Sequence, residues 1–172
     1  MANLVTRERL QPSLLDRLTD QNPDASRESL DQQTLSMQAL RQAVLRDLAW
    51  LLNSTNLATT GDLDAYPLAK ASTLNYGIPG FTGMIAGHRS LRSLESAIEE
   101  AIRLYEPRIK PDTLRVTARE QTEDNPLPAL TFLIEGELWA QPVPQQLFLE
   151  TSIEIETRLA IVTDPQRSGV RG

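Results

Sequence analysis

The chain has 172 residues, 40% of them hydrophobic, which fits one domain with a real core. Its net charge of −6 argues against a uniformly basic nucleic-acid surface and leaves room only for a local basic patch. It has no cysteine, which excludes disulfides and thiolate metal sites and fits a cytoplasmic protein. No apolar run is long enough to cross a membrane as a helix, and the opening residues lack the apolar stretch of a secretory signal, so neither membrane insertion nor general secretion is expected.

Residues 1–33 are polar and carry Pro12 and Pro23, which predicts a mostly irregular, flexible arm. Within it Ser13 to Leu18 can form a short helix whose apolar face is Leu14, Leu15 and Leu18. Those leucines either cover the domain's own core or form a docking peptide for a neighbouring subunit, since a short amphipathic helix in a groove is a common recognition mode. From about Leu35 to Asn53 the apolar residues Met37, Leu40, Val44, Leu48 and Leu51 recur at helical spacing. A second long helix is expected there, with Trp50 near its end and the run Asn53 to Asn56 as its stop.

Residues 54–89 are punctuated by glycine and proline. The series Gly77, Gly80, Gly83 lacks both the dinucleotide spacing and the lysine of a phosphate loop, so nucleotide binding is not expected. These glycines are read as permitting turns that present Tyr76, Ile78 and Phe81 either to the core or to a partner. The strongest helix signal follows. Leu91, Leu94, Ile98, Ala101 or Ile102, and Tyr105 line one face behind Ser90 as expected N-cap, and Glu99 stands four residues before Arg103 as an exposed ion pair. Pro107 stops this helix and sets Glu106 and Arg108 at an exposed charged turn.

Three alternating segments come next, around Leu114 to Arg119, Leu130 to Glu135 and Phe148 to Ile161, separated by the turn-rich runs Glu123 to Pro128 and Gln141 to Pro144. The expected fold is α+β: two long amphipathic helices packed on a small three-stranded antiparallel meander. The domain is placed at residues 34–164, with a disordered tail at 165–172. Phe148 to Ile161 is the expected free edge, with Ser152 and Glu154 as the positions where an added strand would pair. The outer face and rim are expected to be acidic, because Glu135, Glu137, Glu150, Glu154, Glu156 and Asp164 face Arg158 alone.

Three stretches in this order carry a resemblance: Pro12 to Asp20, Leu74 to Gly83, and the helix ending in Glu106-Pro107-Arg108. Together they resemble the lysozyme-like baseplate wedge family of contractile phages and bacterial type VI secretion systems, which includes the TssE proteins. The resemblance spans roughly Pro12 to Asp164. It implies a structural subunit, without cofactor, that contacts the wedge proteins TssF and TssG and offers its sheet to contractile sheath subunits. It also implies that Glu106, Pro107, Arg108, Tyr76 and the leucines of the arm meet those partners.

The lysozyme-like label makes a peptidoglycan-cleaving enzyme the alternative, and a regulatory adaptor-binding relative the third reading. Glycoside hydrolysis needs two carboxyl groups facing one sugar bond, one of them kept protonated by an apolar pocket. Glu106 stands beside an arginine, which favours its ionised form and suits a salt bridge instead. His88 is the only histidine, so a multi-histidine metal centre is impossible and a serine triad would have to recruit this same residue. Asp62 and Asp64 lack the spacing of a calcium loop.

Overall fold

In a computed structural model, described over residues 13–19, 37–80, 88–119, 129–139, 145–154 and 159–165, the two strongest helical periodicities become the two longest helices. Most of the expected arm, Phe81, Gly83, Gly87, both turn-rich runs between strands and the tail beyond Pro165 lie outside the described residues. In chain order the helices are α1 (Leu14–Leu18), α2 (Met37–Leu52), α3 (Pro67–Lys70) and α4 (His88–Tyr105). The strands are β1 (Arg115–Arg119), β2 (Ala129–Leu138), β3 (Gln145–Glu154) and β4 (Ala160–Thr163). Single 3-10 turns at Leu57–Thr59 and Thr73–Asn75 flank α3.

The sheet is a meander in the order β1-β2-β3-β4, antiparallel throughout. It has four strands where the sequence suggested three, because the run from Phe148 to Ile161 is two strands and not one. β3 is therefore flanked on both sides: Ser152 faces Thr131 of β2 and Ile161 of β4, and Glu154 faces Ala129 of β2. Ser152 therefore cannot receive an added strand, Glu154 is paired on its β2 side, and among the described residues the sheet's edges are β1 and β4.

Alternation decides which face is covered. Val116, Phe132, Ile134, Leu147, Leu149 and Ile153 point to one face and are buried under the helices, α4 lying against β1 and α2 against β4. Leu40, Val44, Leu48, Leu51 and Leu52 of α2 interlock there with Leu94, Ile98 and Ile102 of α4 in one continuous core. Buried at this level, each such side chain contributes roughly 1.5–3 kcal/mol. The other face carries Leu133, Phe148 and Ile161 among charges of both signs: Lys110 pairs with Glu137, Arg119 with Glu150, and Arg115 stands opposite Glu135 in the register. The expected acidic face is thus balanced in part by cations from β1 and the turn before it.

α4 begins at His88, so Ser90 lies inside its first turn and is not the N-cap. The predicted Glu99 and Arg103 pair is present. α4 ends at Tyr105 because Pro107 has no amide to continue the ladder, the last helical bond being Glu106 N–H to the Ile102 carbonyl at 2.8 Å. The chain then crosses to the sheet. Trp139 N–H donates to the Arg108 carbonyl at 2.7 Å and Lys110 N–H to the Glu137 carbonyl at 2.9 Å, so the turn is fastened to the end of β2.

Candidate functional site

Glu106 is the centre of the site. Its side chain is only 3% exposed, so the carboxylate at the turn is buried where the sequence suggested an exposed charge. A buried carboxylate must be hydrogen-bonded, and Arg108 supplies the bonds. Its Nε donates to Glu106 Oε1 at 2.6 Å, its backbone N–H to the same oxygen at 3.2 Å, and its Nη2 to Glu106 Oε2. The single proline between them makes this two-residue bite possible by bending the chain back at the helix end.

Arg108 does not serve Glu106 alone. Its Nη2 also donates to Asp47 Oδ2 of α2 at 2.6 Å, across 61 positions of sequence. Asp47 Oδ1 in turn accepts from Arg46 Nε at 2.8 Å, and Arg46 Nη1 reaches Asp16 Oδ1 of α1 at 2.5 Å. The result is an unbroken alternating series, Asp16, Arg46, Asp47, Arg108, Glu106, that ties α1, α2 and the turn together. Burial lowers the pKa of Arg108, but the hydrogen bonds and charges of Glu106 and Asp47 outweigh it and leave the group raised. Asp16 is held below its usual value mainly by the hydrogen bond from Arg46, and Arg46 is raised mainly by the reciprocal bond.

Beside this series lies a cavity of about 280 Å³ lined by Leu15, Trp50, Tyr76, Tyr105, Glu106 and Arg108, among others. Tyr76 and Tyr105 meet edge to face at 5.2 Å, and Tyr105 Oη donates to the Ser72 carbonyl at 2.8 Å. Burial, then Asp47 and Glu106, push the Tyr76 phenol up; burial does the same to Tyr105. Arg46 lies 5.0 Å over the Trp50 ring. Gly77 directs the chain just after Tyr76: at φ +119° it admits the parallel bridge between Thr55 and Ile78, and a Cβ there would stand 2.3 Å from the Ser54 carbonyl oxygen. The glycine-rich stretch therefore turns Ile78 into the core and Tyr76 toward the cavity.

Of the residues expected at the site, the structure brings together Glu106, Arg108, Tyr76 and Leu15. Pro107 is exposed beside them, and Leu14 lies in α1 with its side chain outside the described residues. Leu15 is 44% exposed and Leu18 74%, so neither is part of the core. Ser152 and Glu154 lie in β3, away from this site. Sequence reasoning missed Asp16, Arg46, Asp47, Trp50 and Tyr105 as site residues. The signal for Asp47 was its place three residues after Val44 and four before Leu51, which sets a charge on the border of the core stripe.

Asp64 accepts from Lys70 at 2.8 Å, and Asp62 Oδ1 accepts the Asp64 amide, so that loop satisfies itself. Among the described residues no group of three or more His, Cys, Asp or Glu is placed to hold a metal ion, and no helix is long and apolar enough to cross a membrane.

A helix pair on one face of a short meander, with a proline-bent turn locked by an arginine between two carboxylates, describes a domain built around an ion-pair joint. The sequence profile of the baseplate wedge protein gp25 family matches residues 38–143, and the chain belongs to that family. No curated relative matches the chain. One solved structure, "The baseplate complex from the type VI secretion system", is 20% identical over 64% of this chain and 94% of that chain, with a TM-score of 0.43.

Proposed function

We propose that the chain is a non-catalytic structural component of a type VI secretion baseplate wedge, in the role of the TssE proteins that it resembles. In this reading it works at the cytoplasmic side and joins wedge subunits such as TssF and TssG to the first contractile sheath subunits. The observation that carries it is the family match, whose span from 38 to 143 includes Asp47, Glu106 and Arg108. The partner surface is the half-exposed side of that cluster, with Tyr76, Pro107 and the exposed leucines of α1. Glu106 accepts three hydrogen bonds from Arg108, an arrangement for a fixed ion pair rather than for an acid that hands its proton to a leaving sugar.

The strand-addition edge moves from β3 to β4. On β4 the residues whose backbone groups turn away from β3 alternate, and Val162 is one of them. Val162→Pro removes an outward donor without breaking the internal ladder, and it is expected to stop sheath assembly while wedge binding continues.

The test is affinity purification of the tagged chain from cells, with identification of the chains that accompany it. Wedge subunits are expected, and Leu18→Asp is expected to remove them while the variant still folds. Recovery without any baseplate chain, together with clearance of peptidoglycan by the purified protein, would overturn the proposal in favour of the enzyme.

A further inference from the structure

The edges of the sheet are not left bare. β4 reads Ala-Ile-Val-Thr, with no charge and no proline, and Ile161 within it and Leu159 just before it are half exposed. A short apolar edge of this kind pairs readily with a second copy of itself unless something occupies its backbone groups. Something does. Ala160 N–H donates to Asn53 Oδ1 at 2.9 Å, and Asn53 Nδ2 donates to the Ala160 carbonyl at 2.9 Å.

In an antiparallel sheet, every second residue of an edge strand turns both its backbone groups away from its neighbour. Ala160 is such a residue, so Asn53 holds the two groups that an additional strand would need first. A carboxamide has the donor and acceptor of a peptide group. Asn53 is itself fixed at the end of α2, its backbone N–H and its Nδ2 both donating to the Ala49 carbonyl, at 3.1 and 2.7 Å. At the far end of β4, Arg41 of α2 holds Asp164 through two bonds, at 2.5 and 2.9 Å. The opposite edge is treated alike: Ala118 N–H of β1 donates to Glu95 Oε1 of α4 at 2.5 Å.

We propose that Asn53 is a strand surrogate that closes the β4 edge against a second copy of this chain; Glu95 holds only the corresponding edge amide of β1, a strand that Arg115 and Arg119 already charge. The occupant kept out is the chain itself, because an uncharged strand meets no repulsion when it pairs with its own two-fold copy. A foreign strand joining β4 would have to displace Asn53, which makes the edge selective rather than open. The inference concerns the purified chain alone and stands whether or not the baseplate reading does.

The test compares wild type, Asn53→Ala and Asn53→Asp by light scattering across a concentration series and by amide hydrogen exchange at Ala160. Wild type is expected to be monomeric with a protected Ala160 amide. At concentrations where it is monomeric, Asn53→Ala should exchange that amide about tenfold faster or more, since an unpaired edge amide opens freely, and it should form dimers or larger species as concentration rises. Asn53→Asp keeps the acceptor and adds a repelling charge, so it should stay monomeric. Adding Val162→Pro to Asn53→Ala should restore the monomer. If Asn53→Ala fails to fold, Asn53→Ser, which also lacks the carboxamide, makes the same comparison. A folded Asn53→Ala that stays monomeric throughout, or an Ala160 amide that exchanges as fast in wild type as in the variant, would overturn the proposal.

Discussion

Arg108 is the residue on which the joint depends, because it answers a carboxylate with almost no access to water. Truncating it leaves Glu106 charged and buried without a counterion, and breaking such a pair costs about 3 kcal/mol or more. An exposed pair would cost at most about 1 kcal/mol. Urea unfolding of Arg108→Ala is therefore expected to show the larger loss, and a loss below the exposed-pair limit would mean that Glu106 finds water once the arginine is gone. Arg108→Lys should recover only part of it, since an ammonium cannot make the forked contacts to Glu106 and Asp47 together. The contact between Glu106 and Arg108 was legible in the sequence because proline forces neighbours together. Asp47 was not, because nothing in a local pattern says which carboxylate from another helix completes an arginine's coordination.

At the scale of elements, α2 and α4 were legible within a few residues, since an apolar stripe at three- and four-residue steps depends only on the helix. The division of β3 from β4 was hidden. Residues 155–159 contain no glycine, proline, asparagine or aspartate, so the alternation reads on from β3 into β4 with no local mark of the division, although the two strands pair antiparallel. Gly77 illustrates the opposite case, a turn residue whose need is visible in the structure. Gly77→Ala puts a Cβ against the Ser54 carbonyl in a backbone region that side chains avoid, and a stability loss of about 3 kcal/mol is expected from denaturant unfolding. The docking of α1 rests on the pairing of Asp16 with Arg46. Because the Asp16 carboxyl is held below its usual 3.8 in the folded chain, the pairing contributes in full above that value and is lost as pH falls through the lowered one. Backbone amide signals of α1, followed by NMR on acidification, should therefore shift to undocked values only below about pH 3.8, where the carboxylate takes up its proton. Asp16→Asn should remove that dependence. A transition centred near neutral pH would assign the docking to another group.

For the molecule as a whole, α2 is the element to which the others are fastened. Its residues hold α1 through Arg46, the turn after α4 through Asp47, the start of β4 through Asn53, which follows the helix, and the end of β4 through Arg41. Its apolar face meanwhile packs against both α4 and the sheet in the common core. An element joined to every layer cannot leave without releasing the rest, so helices and sheet should unfold in one transition. The two tryptophans report separately on the layers, Trp50 from α2 and Trp139 from the end of β2 where the turn is attached. Fluorescence of the two single-tryptophan variants and far-ultraviolet circular dichroism should give the same urea midpoint. Leu48→Ala, at a fully buried position of α2, should move all three midpoints together by an amount equivalent to about 3 kcal/mol. If Leu48→Ala lowers the Trp50 midpoint and leaves that of Trp139 in place, then the sheet stands without α2, and the fastenings at Arg41 and Asn53 are too weak to transmit the loss.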